Sequence, residues 1–151
     1  MSNDNIQIGK RFSVIFWILF LIIAYSFFDS QLAKQENPNQ QPISYVDGRQ
    51  VTLVLKQNRQ GHYVTTGTIN GQTVTFLLDT GATTVAIPEW LAPEIGLKKG
   101  RQVRVGTANG DAVAYTTSIA ELKVGDLRLR DVRASILSGM RGDQVLLGMS
   151  A

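Results

Sequence analysis

From Ile43 onward the chain is a series of short apolar segments separated by glycine turns, and this pattern limits the possible folds most strongly. Asn70-Gly71 separates residues 62–69 from residues 72–78, and this dipeptide is the strongest two-residue signal for a β-hairpin. The same pattern predicts strands over residues 101–107, 111–122, 127–132 and 134–137, with turns at Asn109-Gly110 and Gly125-Asp126. Apart from a short helical turn within residues 88–94, helix signals are missing from this region. An all-β fold, a compact closed barrel, is therefore expected.

An uncharged apolar run, FSVIFWILFLIIAYSFF, occupies residues 12–28. As a helix it would be roughly 26 Å long, which is the short end of what crosses a bilayer. A helix in a soluble core would normally show a polar face, and this run shows none. The sequence therefore predicts one N-terminal transmembrane helix, preceded by a cytoplasmic segment over residues 1–11.

The charges beside this run predict its orientation. Lys10 and Arg11 precede it, whereas the charges that follow it nearly cancel. The positive-inside rule then places the N-terminus in the cytoplasm and the rest of the chain on the periplasmic or extracytoplasmic side of the inner membrane. A cleaved signal peptide is the alternative, since Ala24-Tyr25-Ser26 offers small residues at the positions that a signal peptidase reads. The length of the apolar run favours an uncleaved anchor.

Residues 29–42 are polar, rich in Gln and Asn, and contain Pro38 and Pro42. This composition is typical of a flexible linker. The globular domain is accordingly expected over residues 43–151.

Composition excludes several kinds of site. The chain has no cysteine and one histidine, so it cannot form a disulfide, a cysteine-based redox or metal site, or a multi-histidine zinc site. No metal and no cofactor are expected. The net charge is +3, but the basic residues at 98–104 and 128–133 lack interleaved aromatic side chains, so no nucleic-acid partner is expected. A solvated face, or weak attraction to anionic lipid, accounts for these charges.

The segment with the clearest chemical content is Phe-Leu-Leu-Asp-Thr-Gly-Ala-Thr, residues 76–83. A strand that is apolar on both faces delivers Asp79 to a tight turn made by Thr80 and Gly81. Asp and Gly are common in ordinary turns. A carboxylate at the end of a buried strand must nevertheless be compensated for its lost hydration, and such a conflict more often marks a functional site. Asp79 is therefore the candidate catalytic residue.

This segment, the following Ala82-Thr83-Thr84-Val85-Ala86-Ile87-Pro88 and the later Val145-Leu146-Leu147-Gly148 resemble retropepsin-like aspartic proteases of the bacterial membrane-anchored type. The resemblance covers residues 61–150 and implies a small closed barrel that hydrolyses peptide bonds with an Asp79-activated water. It assigns Thr80 hydrogen bonds across a dimer and Gly81 the tight turn. Asp-Thr-Gly occurs once in the chain, whereas two carboxylates must share a proton, so the resemblance implies a homodimer with one Asp79 per chain.

The resemblance also implies a cleft for a peptide or protein substrate. Its expected lining residues are Ala82, Thr83, Thr107, Ala108, Asn109, Gly110, Leu146 and Leu147. The middle four lie on the hairpin where the family places its mobile flap. Two features depart from the family: Thr83 and Thr84 stand where many retroviral enzymes carry an acidic residue, and the sequence ends where relatives continue into a short helix and a strand.

The leading expectation is thus a membrane-anchored aspartic endopeptidase. Two other functions remain open from the sequence. A catalytically inactive binding or scaffold module of the same fold would agree with an end at Ala151. A self-processing precursor would use its own residues 29–42 as the substrate.

Overall fold

The computed structural model describes residues 3–48, 50–107, 110–149 and 151, with side chains from residue 12 onward. It divides into two compact units, one ending at Gln35 and the other running from Glu36 to Ala151. The first unit contains most of helix α1, Asn3–Glu36. By length and composition alone, Phe12–Glu36 is apolar enough to cross a membrane, with a mean hydropathy of 2.1 and no part of it buried.

The linker expected over residues 29–42 differs in the structure. Residues 29–36 continue α1, because the sequence DSQLAKQE is made mostly of good helix formers and contains neither Gly nor Pro. The helix ends two residues before Pro38, where a ring without an N–H disfavours further helix. Only the last part of the segment is therefore irregular.

Asn39 attaches this irregular part to the second unit. Its side chain is buried, and Nδ2 donates to the carbonyls of Val64 (2.6 Å) and Lys56 (2.8 Å). Its Oδ1 accepts the Lys56 N–H at 2.7 Å. The backbone of Asn39 also bridges in parallel to Thr65. The chain is thus fixed before the first strand begins, which a freely flexible linker would not be.

The second unit is built from strands. In the described part of the chain they are β1 (Ile43–Asp47), β2 (Gln50–Val54), β3 (Tyr63–Ile69), β4 (Gln72–Leu78), β5 (Val85–Pro88), β6 (Gln102–Thr107), β7 (Gly110–Val124), β8 (Leu127–Leu137) and β9 (Gln144–Leu147). Strands β1 and β2 form a separate two-stranded sheet. The other seven form one sheet in the order β3-β4-β9-β5-β8-β7-β6.

Strand β7 closes this sheet into a barrel. It pairs with β8 on one side and returns to β3 through Thr68↔Lys123 and Ile69↔Leu122. Six strands make the closed ring, and β6 extends outside it on the first half of β7. Fully buried side chains fill the interior, among them Phe76, Ile87, Ile119, Leu122 and Ile136. The predicted small closed β-barrel is confirmed.

The Asn70-Gly71 hairpin is present as predicted. Asn70 and Gly71 have φ values of 50° and 83°, the left-handed conformation that a two-residue type I′ turn requires at both positions. The Asn70 side chain adds tertiary contacts, because Oδ1 accepts the Glu121 N–H (3.2 Å) and Nδ2 donates to the Ile95 carbonyl (3.0 Å). The turn therefore also holds β7 beside β3.

Other predicted elements are present with changed bounds. The two strands expected at 127–132 and 134–137 form one continuous strand, β8, which passes through Asp131 at a φ of 53°. Residues 89–97 form successive hydrogen-bonded turns rather than a regular helix. The Asn109-Gly110 hairpin has β6 and β7 as its arms, but Ala108 and Asn109 lie outside the described residues.

Barrel closure generates a first prediction. A Cβ added at Gly67 would meet the Lys123 carbonyl oxygen, and would approach a Phe76 ring carbon at 2.8 Å. Both neighbours belong to packed strands, so Gly67→Ala should destabilise the fold by about 1–3 kcal/mol. Urea denaturation of the full chain in detergent, followed by circular dichroism, measures this loss.

Gly106→Ala is the matched control, because a Cβ at Gly106 meets nothing within 4 Å and its φ is not positive. That variant should unfold at nearly the same urea concentration as the unmodified chain. Equal stability of the Gly67 and Gly106 variants would show that β3 and β7 are not closely packed at Gly67.

Candidate active site

Asp79 is the first residue after β4, and neighbouring strands fix its backbone. Strand β4 lies between β3, with which it is antiparallel, and β9, with which it is parallel. The Asp79 N–H donates to the Leu147 carbonyl at 3.1 Å, one step beyond the last paired residues, Leu78 and Leu147. The end of β4 therefore sets the position of this residue. Within β4 only Val74 and Phe76 are buried, whereas Leu78 is 40% exposed, so the strand is not buried on both faces as the sequence predicted.

The turn that follows holds the Asp79 carboxylate. The Gly81 N–H donates to Asp79 Oδ1 at 2.8 Å, and the Ala82 N–H donates to the Asp79 carbonyl at 3.2 Å. Such a side-chain-to-backbone bond two residues ahead is the ordinary aspartate turn. Asp79 is half-buried, whereas Thr80 and Gly81 are exposed. One carboxylate oxygen is thus oriented by the backbone, while the residue still reaches solvent.

Gly148 packs directly behind this turn. A Cβ there would lie 2.6 Å from the Ala82 carbonyl oxygen and 2.5 Å from that of Thr84. The Met149 N–H donates to the Ala82 carbonyl at 2.9 Å, so the chain after β9 supports the loop after Asp79. Only glycine permits this approach. The apolar-apolar-Gly pattern at 146–148 thus has a steric cause.

Strand β9 joins the two sides of the site. Leu146 pairs with Ala86 of β5, and Leu147 pairs with Leu78 of β4. Both leucines are half-buried, while Ala82 is half-buried and Thr83 is exposed in the loop between β4 and β5. The structure therefore brings Asp79, Gly81, Ala82 and the two leucines into one connected arrangement.

The other expected cleft residues belong to the β6–β7 hairpin. Thr107 pairs with Gly110, and Thr107 Oγ1 donates to the Gly110 carbonyl at 2.7 Å. Both residues are exposed, at the end of a hairpin that extends from the barrel. The role of this hairpin as a flap stays a prediction.

A polar cluster that the sequence did not indicate lies beside this hairpin. Lys99 Nζ pairs with Glu89 and lies 4.8 Å from the centre of the Tyr115 ring, on β7. The Lys99 ammonium, and after it the Ser138 hydroxyl, lower the pKa of Glu89, and Glu89 in turn raises the pKa of Lys99. Because both groups are exposed, solvent screens the pair and its contribution to stability is small. It connects the turns of residues 89–97 to β7.

One open pocket of about 260 Å³ lies elsewhere on the surface. It is lined by Thr73, Val74, Thr75, Trp90, Leu91, Glu94 and Asp143. None of the expected site residues that the structure describes lines it. In the part of the chain that the structure describes, no group of three or more His, Asp or Glu side chains could hold a metal ion.

Comparison with known proteins identifies the family. A family model described as "gag-polyprotein putative aspartyl protease" matches residues 65–151, more than half of the chain and all of the segment around Asp79. The chain belongs to the retropepsin-like aspartic proteases. The resemblance inferred from the sequence is thereby confirmed.

A second similarity covers most of the chain. An uncharacterised protein from Sinorhizobium sp., encoded in the cobV 5′ region, is 32% identical over 145 residues, which cover 90% of this retropepsin-like chain. The match spans 62% of that relative, so the chain covers less than two thirds of its length.

Solved structures agree with the fold. A retropepsin-like aspartic protease from Rickettsia conorii is 29% identical, with a TM-score of 0.52, over 64% of this chain and 81% of that one. The EIAV protease in complex with the inhibitor HBY-793 is 21% identical, with a TM-score of 0.51, over 62% of this chain and 88% of that one. At that identity the second likeness concerns the fold alone.

The packing at Gly148 generates a second prediction. Gly148→Ala should displace the Ala82–Thr84 backbone and cost about 1–3 kcal/mol of stability, because the added methyl meets two carbonyl oxygens. Amide chemical shifts of residues 79–84 should change in ¹H–¹⁵N spectra. Gly106→Ala is the control, because its added methyl meets nothing within 4 Å and should leave those amide signals in place. Unshifted site amides in the Gly148 variant would contradict this packing.

Proposed function

We propose that the chain is a membrane-anchored aspartic endopeptidase that works as a homodimer, with Asp79 of each chain forming the catalytic pair. The observation that carries this proposal is the Asp79 turn, where a backbone N–H orients a half-buried carboxylate at the end of a packed strand. The family supports aspartic protease chemistry. Asp-Thr-Gly occurs once in the chain, so a second copy supplies the second carboxylate.

The proposed chemistry needs two carboxylates that share one proton. The ionised carboxylate removes a proton from a water molecule while the water oxygen attacks the carbonyl carbon of the peptide bond. The protonated carboxyl donates its proton to the carbonyl oxygen. Collapse of the resulting diol breaks the carbon–nitrogen bond, and the amine leaves with a proton returned by the pair. No covalent enzyme intermediate is formed.

Surrounding residues have supporting roles in this proposal. Gly81 orients the Asp79 carboxylate, and Thr80 hydrogen-bonds to the partner chain across the dimer. Ala82, Thr83, Leu146 and Leu147 line the cleft beside the turn, and the β6–β7 hairpin with residues 107–110 closes over the bound peptide. The contacts from β9 and Gly148 support this arrangement because they hold the two leucines beside the Asp79 turn.

Anchoring is proposed through residues 12–28, with the N-terminus in the cytoplasm. The length and hydropathy of α1 support a membrane span, and Lys10 and Arg11 before it support the orientation. The protease domain would then act at the periplasmic or extracytoplasmic face of the inner membrane.

Replacing Asp79 tests the chemistry. Asp79→Asn keeps the size of the side chain but removes the ionisable group, so cleavage should fall at least about 10²-fold. Mass spectrometry of a diverse peptide library measures cleavage. Asp143→Asn, at an exposed turn, is the control and should cleave normally. Undiminished turnover in the Asp79 variant would rule out the proposed mechanism, and no cleavage by any form would favour the binding or scaffold module.

Mixing variants tests the shared site. The amount of unmodified chain is kept constant and a ninefold excess of Asp79→Asn chains is added. If an active site needs two chains, the cleavage rate should fall to about one tenth, because most unmodified chains would then be in mixed dimers. The chains are exchanged in detergent and then reconstituted together. The control is an equal excess of Asp79→Asn chains that have been crosslinked to one another as dimers beforehand. These chains cannot exchange with unmodified chains and should not inhibit. Full activity in the exchanged mixture would instead indicate a complete site in one chain.

A further inference from the structure

The β1–β2 hairpin lies outside the barrel and outside the family match, which begins at residue 65. One of its faces packs on the barrel. Ser44 Oγ bonds to the Asp126 carboxylate (2.5 Å) and accepts the Asp126 N–H (3.1 Å), and Leu53 lies against the Gly125 turn between β7 and β8. The hairpin therefore has a fixed inner face.

The opposite face of the hairpin is apolar and exposed. Side chains alternate along a strand, and the register Ile43↔Val54 and Tyr45↔Thr52 places these four residues on the face opposite to Ser44 and Leu53. Ile43 is 52% exposed, Tyr45 62% and Val54 46%. A two-stranded sheet is marginal by itself, and three neighbouring exposed apolar side chains are unfavourable in water. We call Ile43, Tyr45 and Val54 the apolar hairpin face.

Exposed cationic side chains lie on the chain segments next to the hairpin. Lys56 follows Val54 by two residues and is exposed. Arg128 lies three residues after the Gly125 turn that the hairpin contacts, and Arg130 follows it; both are exposed. Arg128 is 3.4 Å from Glu121 in an exposed ion pair, which solvent weakens. An apolar face with a tyrosine, on a part of the domain that also carries exposed cations, fits the chemistry of an anionic lipid surface.

Chain connectivity favours the same occupant. Only residues 37–42 separate the end of α1 from β1. Asn39, in this connection, is hydrogen-bonded to the backbone carbonyls of Lys56 and Val64. If α1 crosses the membrane, this short connection keeps the hairpin at a high effective concentration near lipid. A second copy of the chain is less suited, because a symmetric contact would bring Lys56 and the two arginines towards their own copies.

We propose that the apolar hairpin face rests on an anionic bilayer and orients the protease domain against the membrane. This inference rests on the anchoring part of the proposed function. Tyr45 would lie at the level of the lipid headgroups, with Lys56, Arg128 and Arg130 near lipid phosphates. The exposed Asp47 at the hairpin turn would remain in water.

The absence of cysteine from the sequence allows a direct test on the full chain. Single variants Tyr45→Cys, Val54→Cys and Asp111→Cys are labelled with a nitroxide and reconstituted in nanodiscs that contain anionic lipid. Asp111 is the control, because it is exposed near the start of β7, whereas the hairpin contacts the turn at the end of β7. Collision rates with oxygen, which partitions into lipid, and with a water-soluble nickel chelate are measured at each position.

For each label we compare the ratio of its collision rate with oxygen to its collision rate with the nickel chelate. The proposal expects this ratio to be several-fold higher at positions 45 and 54 than at position 111. Replacing the anionic lipid by a zwitterionic lipid should reduce that difference. Nickel-accessible labels at 45 and 54 would overturn the proposal. Spin–spin broadening from labels of two copies in direct contact would overturn it as well, because it would indicate a chain–chain interface at the hairpin itself. An unchanged difference in zwitterionic lipid would overturn the role of the cations.

A fourth label separates this inference from the anchor on which it depends. A nitroxide at Phe20→Cys lies within the proposed membrane span and should be oxygen-accessible and protected from nickel. Water accessibility at position 20 would overturn the anchor and the docked hairpin together. Protection at position 20 with water accessibility at positions 45 and 54 would overturn the docked hairpin alone.

Discussion

The position of β9 between β4 and β5 is the constraint on which the candidate site depends. β9 pairs in parallel with the strand that ends at Asp79, and its Leu147 carbonyl accepts the Asp79 N–H. Its next residue, Gly148, is small enough to allow the carbonyls of the Ala82–Thr84 loop to approach. Residues separated by some seventy positions in sequence thus define one turn, and the packed strands fix the backbone that holds the carboxylate.

Much of this fold was predictable because local chemistry and tertiary structure agree. Asn70-Gly71 has the left-handed φ values that its turn demands, and Val74 and Phe76 of the strand before Asp79 lie in the core, although Leu78 at its end is exposed. The barrel follows from many such short strands. The Asp79 turn was also predictable from the sequence, because an aspartate carboxylate can accept a hydrogen bond from the backbone N–H of a glycine two residues later, as observed.

Other features depend on contacts that a linear pattern does not contain. The polar segment 29–42 has the composition of a linker, yet half of it is helical and Asn39 is buried, because its amide meets backbone groups of Lys56 and Val64. The ion pair of Glu89 and Lys99 joins residues ten positions apart through an irregular turn. Closure of β3 on β7 at Gly67 likewise depends on distant residues. Periodicity predicts the strands, but it does not say which ones meet.

Asn39 has a consequence for the architecture as a whole. Its amide pairs with both the N–H and the carbonyl of Lys56, as a backbone residue would in a sheet. Residues 40–55 therefore form a loop whose two ends are held together by Asn39 and Lys56. The entropy cost of closing this loop is offset by these hydrogen bonds and not by contacts within the barrel. A change in the length of this loop is therefore expected to leave the barrel and the Asp79 turn in place.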